Sequence, residues 1–81
     1  MTNKTDWIAL FYQDRKSMAR IMRENAASDL LAGYSVGQIA KQMSRIEDYE
    51  KETEMLLQKF KREWNGQSLA YHDLKRRGAI A

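Results

Sequence analysis

Proline is absent from all 81 residues, and glycine occurs only four times. Proline stops a helix firmly, because it lacks the backbone N–H and clashes with the preceding turn. Without it, helices run on until a glycine or a polar turn ends them. Gly33-Tyr34-Ser35 is the clearest such break. Gly33 fits the left-handed position just past a helix end, and Ser35 with Gln38 three residues on reads as a capping box. Tyr34 before the cap and Ile39 inside the next helix complete a hydrophobic staple. Asn65-Gly66 is a second stop signal, after which Ser68 reads as the cap of a short segment that Gly78 ends. The expected elements are a helix over about 6–32, a turn at 33–35, a helix over about 36–65 and a short helix over about 69–77.

The apolar spacing agrees. In the first helix Trp7, Phe11, Met18, Ile21, Met22, Leu30 and Leu31 recur at three and four, with one gap at Asp14. In the second, Val36, Ile39, Met43, Ile46, Leu57, Phe60 and Trp64 form a coiled-coil-like seam, interrupted at Glu50 and Thr53. Two long helices joined by so short a turn pack antiparallel. The fold class is therefore all-α: one domain spanning 1–81, a long antiparallel helical hairpin with a short C-terminal helix.

Folding about Tyr34 pairs positions whose numbers sum to about 68. Arg20 then faces Asp48, Lys16 faces Glu52, and Arg23 lies level with Arg45 and Ile46. Asp14 meets Thr53 and Glu54 in a polar layer, with Arg15 close by. Below that layer Trp7 and Phe11 meet Leu57, Phe60 and Trp64. Above it, Ile21, Met22 and Leu30 meet Ile39, Met43 and Ile46.

Several chemistries are excluded. Cysteine is absent, so there is no disulfide, no thiolate zinc site and no cysteine nucleophile. A single histidine rules out a multi-histidine metal site within one chain. Glu47, Glu50 and Glu54 share a helix side, but no His follows a Glu at the spacing of metal-binding bundles. There is no glycine-rich phosphate loop and no nucleophile beside a base. The expectation is a protein that is not an enzyme, with no cofactor, no metal and no small-molecule substrate. Charged residues at 31% argue against a membrane span. The run Trp7–Tyr12 is too short for a signal-peptide core. A cytoplasmic protein is expected.

Gly33 to Met43 resembles the first helix of a helix-turn-helix motif, with its Ile39-Ala40 pair and an apolar Met43 beyond. The resemblance covers about eleven residues and then departs from the pattern. Ser44 and Arg45 stand where glycine and an apolar residue are usual. Glu50 and Thr53 fill positions that a recognition helix buries, and Glu47, Asp48, Glu52 and Glu54 would face phosphate. One continuous helix is favoured, and the state of residues 43–46 discriminates. A basic nucleic-acid face is the other route. From Lys59 onward there are six basic and two acidic residues, a net of +4. Cations near helix C-termini also complement the helix dipole, and a solvated face is the favoured account of them.

A chain of this size buries only about 60% of its unfolded surface and usually needs reinforcement. Ile8, Tyr12 and Leu56 lie off the seam, and either the Leu69–Leu74 segment or another chain must cover them. The expected function is a small protein-interaction module, a regulator, adaptor or inhibitor that binds a larger protein or a second copy of itself. Small accessory proteins of bacterial or phage type often have this form. The apolar surface at Ile8, Tyr12 and Leu56 is the expected contact, with the basic tail at its rim. The alternative is a nucleic-acid-binding regulator, through a divergent helix-turn-helix around 35–53 or through Lys59, Arg62, Lys75, Arg76 and Arg77.

Overall fold

The computed structural model describes residues 4–81. Three helices follow in order: α1 (Trp7–Leu31), α2 (Val36–Arg62) and α3 (Gly66–Arg76). Among the described residues there is no strand. Asp6 caps α1 by accepting from the Ala9 N–H at 3.1 Å. At the other end Gly33 turns left-handed, φ +97°, and the Tyr34 N–H reaches the Asp29 carbonyl at 3.1 Å. The Gly33 N–H bonds the Leu30 carbonyl at 3.2 Å, which completes a Schellman stop. The capping box then forms as expected. The Gln38 N–H donates to Ser35 Oγ at 3.2 Å and the Ser35 N–H donates to Gln38 Oε1 at 3.1 Å. Gly33, Ser35 and Gln38 thus make the turn that lays α1 and α2 antiparallel.

α2 is helical without interruption through residues 43–46, so no helix-turn-helix break occurs there. It stops at Arg62, short of the expected Asn65, because Glu63 turns extended at ψ 140°. α3 starts at Gly66, earlier than expected, and Ser68 lies inside it rather than capping it. Gly66 is buried against the end of α2, where a Cβ would overlap the Phe60 carbonyl. That close approach turns the chain through a tight corner.

The core lies at the end of the hairpin away from the turn. Phe11, Phe60, Ala70 and Leu74 form it, and Trp7, Ile8, Tyr12, Leu56, Leu69 and Ile80 pack around them. Phe11 meets Phe60 edge-on at 4.8 Å, and Trp7 meets Tyr71 in the same way. Trp64 does not join this cluster. It sits on the α2–α3 corner, 94% exposed, because α2 ends before its turn would carry Trp64 inward. Toward the turn the buried apolar residues are Ala19, Ala26 and Ile46. The molecule is elongated, 53 × 23 × 18 Å.

The expected register is right in level and wrong in detail. Arg15 bonds Thr53, and Tyr12 bonds Glu54. Arg20 with Asp48 and Lys16 with Glu52 are not ion pairs. Arg23 reaches Glu50 at 2.5 Å instead, and Arg15 approaches Glu52 at 3.7 Å. Asp14 does not meet Thr53 or Glu54; it pairs with Arg77 of α3 at 2.6 Å. Each residue turns about 100° around a helix, so a level fixed by the turn leaves the direction of a side chain open. Arg15, not Asp14, points into the seam, on the same face as Phe11, Ala19 and Ala26.

Candidate functional site

Arg15 is the chemical centre of the hairpin. Only 4% of it is exposed. Its Nε donates to Thr53 Oγ1 at 2.8 Å and its Nη2 to the Tyr49 carbonyl at 3.2 Å. The guanidinium lies 3.9 Å from the centre of the Tyr49 ring, a close cation–π contact. Thr53 donates in turn to the Tyr49 carbonyl, at 2.8 Å, which fixes its oxygen toward Arg15. The only carboxylate within ion-pair distance of Arg15 among the described residues is Glu52, which is itself 63% exposed.

α3 is fastened to this frame at both ends. Near its start Gln67 Oε1 accepts from the Trp7 N–H at 2.6 Å, and Gln67 Nε2 donates to Asp6 at 3.0 Å. One side chain of α3 thereby serves two groups at the open start of α1. These bonds, the Gln67 one first and the Ala9 N–H second, hold the Asp6 carboxyl below its ordinary value. Near the end of α3, Arg77 donates to Asp73 at 2.8 Å and to Asp14 at 2.6 Å. Burial pulls the Arg77 guanidinium down, but the bonds to Asp73 and Asp14 outweigh it and hold the group above its ordinary value. Arg76 donates to the other Asp73 oxygen at 3.0 Å. Asp73 is buried between the two arginines.

Docking α3 in this way leaves a cleft of about 630 Å³ between the three helices. Leu56, Phe60 and Leu69 supply its apolar lining. Arg15, Lys59, Arg76 and Arg77 bring positive charge to it, Glu52 and Asp73 negative charge, and His72 completes the lining. A second cleft of about 400 Å³ lies along the hairpin. Lys16, Arg20 and Arg23 of α1 line it opposite Glu50 and Glu54 of α2. Large apolar side chains are exposed elsewhere. Leu30, Leu31, Tyr34 and Val36 surround the turn, and Met18 and Ile21 lie on α1 below it.

The expected site residues are therefore redistributed. Ile8, Tyr12 and Leu56 are half-buried around the core, since α3 folds over that end of the hairpin. Leu30, Leu31, Tyr34 and Val36 are exposed around the turn at the other end, while Met55 and Trp64 are exposed at this one. Lys59, Arg76 and Arg77 do converge on one cleft, together with Leu56. Arg62 lies apart from it, beside Glu54, Met55 and Gln58, and Lys75 stands 5.8 Å over the Tyr71 ring. Tyr49 and Gln67 carry no sequence signal, Gly66 reads only as a helix stop, and Arg15 reads only as a neighbour of the polar layer. The signal for Arg15 was present: positions 11, 15, 19, 22 and 26 form a second 3–4 series through the small residues Ala19 and Ala26.

The geometry defines an all-α protein in which a long helix pair carries a short third helix across one end. No described helix is long and apolar enough to cross a membrane. No protein-family model, curated protein or solved structure matches the chain.

Proposed function

We propose that this chain is a small protein-interaction module that acts by binding a larger protein partner, with no catalytic step of its own. One observation carries the reading. The end of the hairpin beyond α3 exposes Ile21, Leu30, Leu31, Tyr34 and Val36, with Leu31 at 89% and Val36 at 79% exposure. Leu30, Leu31, Tyr34 and Val36 fall on either side of one short turn, and exposed apolar side chains of this size on a small domain mark a contact surface. The decisive comparison uses Ile21→Glu, Leu31→Glu and Val36→Glu combined. The variant is expected to keep its helical circular dichroism and lose the protein that the wild-type chain captures from its native host. Unchanged capture by a folded variant would remove the reading.

Nucleic-acid binding is the second reading. It draws on the exposed Lys59, Arg62, Lys75 and Arg76, and not on a helix-turn-helix, since α2 is unbroken at 43–46. Its signature is oligonucleotide affinity that falls steeply with salt.

A further inference from the structure

We infer that the cleft between α2 and α3 is a docking site for an acidic peptide segment that carries an apolar anchor residue. The inference rests on the interaction-module reading for the class of partner, and on a different surface of the molecule.

Charge is the first argument. Four cationic side chains and two carboxylates line the cleft, a net of +2 with His72 neutral. Two of the cations have charge to spare. Lys59 is exposed and in no ion pair among the described residues. Arg76, its side chain 78% exposed, shares the single carboxylate of Asp73 with Arg77. Exposed cations without a carboxylate of their own are open to an arriving anion. Arg15 and Arg77 are already paired, with Glu52 and with Asp73 and Asp14.

The lining is the second argument. Leu56, Phe60 and Leu69 present an apolar surface beside Lys59 and Arg76, the arrangement that takes one anchoring side chain flanked by carboxylates. The volume, about 630 Å³, accommodates an aromatic side chain with its neighbouring backbone. A phosphate backbone fits less well. It requires a track of like charge, and Glu52 and Asp73 interrupt the cations here.

A labelled synthetic peptide, one Phe flanked on each side by alternating Glu and Gly, is the probe, and fluorescence anisotropy with the full chain is the readout. Binding is expected to weaken about tenfold in Lys59→Glu with Arg76→Glu, and by a similar factor when the peptide Phe is replaced by Gly. In labelled chain, amide resonances of Leu56, Lys59, Leu69 and His72 are expected to shift on peptide addition, a measurement that needs no variant. Ile21→Glu with Leu31→Glu is expected to leave peptide affinity unchanged, so failure at the cleft and failure of the interaction surface near the turn are separate results. The inference is overturned if the peptide does not bind, if the Phe-free peptide binds equally well, or if the shifted resonances lie outside the cleft. It is equally overturned if a single-stranded oligonucleotide binds through Lys59 and Arg76 and the peptide does not.

Discussion

Gly66 and Arg15 are the two residues whose replacement is most informative. At Gly66 the backbones of α2 and α3 touch, and any side chain meets the Phe60 carbonyl. Gly66→Ala is expected to destabilise by about 3 kcal/mol, measured by urea unfolding, because neither backbone can withdraw without moving α3. A loss below about 1 kcal/mol would show that the corner relaxes freely. Arg15 tests a different point. A buried charge contributes less to stability than its bonds suggest, since leaving water opposes them. Arg15→Met keeps the volume and the contact with Tyr49 and removes the charge, so it should be near neutral. Arg15→Ala opens a cavity in the seam where the side chain is buried, and a loss of about 3 kcal/mol is expected. Equal losses in the two variants would mean that the charge, not the packing, holds the hairpin.

At the scale of elements, the question is what holds α3 in place. Eleven residues are too few for a helix to persist alone. Its stability comes from Ala70 and Leu74 against Phe11 and Phe60, and from the polar fastenings at each end. A double-mutant cycle on Asp14→Asn and Arg77→Gln is expected to give a coupling of about 1 kcal/mol, because the pair is partly shielded from water. Arg23 with Glu50 is exposed, and its coupling is expected to vanish in high salt. Zero coupling between Asp14 and Arg77 would leave the docking of α3 to apolar contacts alone. The other fastening responds to pH. Asp6 is held below its ordinary value in the folded chain, so the unfolded chain binds the proton first as pH falls. Its contribution is complete above the ordinary aspartate value and is lost as pH drops through the folded one. The melting temperature of the wild type should therefore fall more than that of Asp6→Asn on acidification below pH about 4. Parallel curves would assign the acid response to other carboxylates.

The whole molecule is unequally built. One end has three helices and an aromatic core; the other has two helices and, among the described residues, Ala19, Ala26 and Ile46 as its buried apolar contacts. Opening free energies follow local apolar burial. Amide exchange is expected to be slowest around Phe11, Phe60 and Leu74 and faster from Ala26 to Met43. Occupation of the apolar surface near the turn by a partner would reverse that order, so the free and bound exchange patterns report directly on the proposed contact. Uniform protection in a chain shown to be monomeric would contradict this account of how the fold is held.

Neighbouring residues determined the helices and the turn between the long pair. Gly33, Ser35 and Gln38 act on bonds they make within a few positions of themselves, and Gly78, at φ +75°, ends α3 in the same manner. Those bonds close whatever the rest of the chain does, so spacing alone reveals them. The cleft was legible only in part. Lys59, Arg76 and Arg77 were grouped because they are near in sequence, and they do converge, yet the cleft exists only where α3 comes to rest. That position depends on Gly66 meeting Phe60, on Gln67 reaching α1 across 60 positions, and on Arg77 choosing Asp14. The exposure of Trp64 has the same origin, a helix that ends at Arg62, before the last member of its apolar series. Periodicity states which residues share a helix face. Which face meets which neighbour was decided by the tertiary structure, because one position along a helix swings a side chain through about 100°, and only the packed arrangement selects the angle.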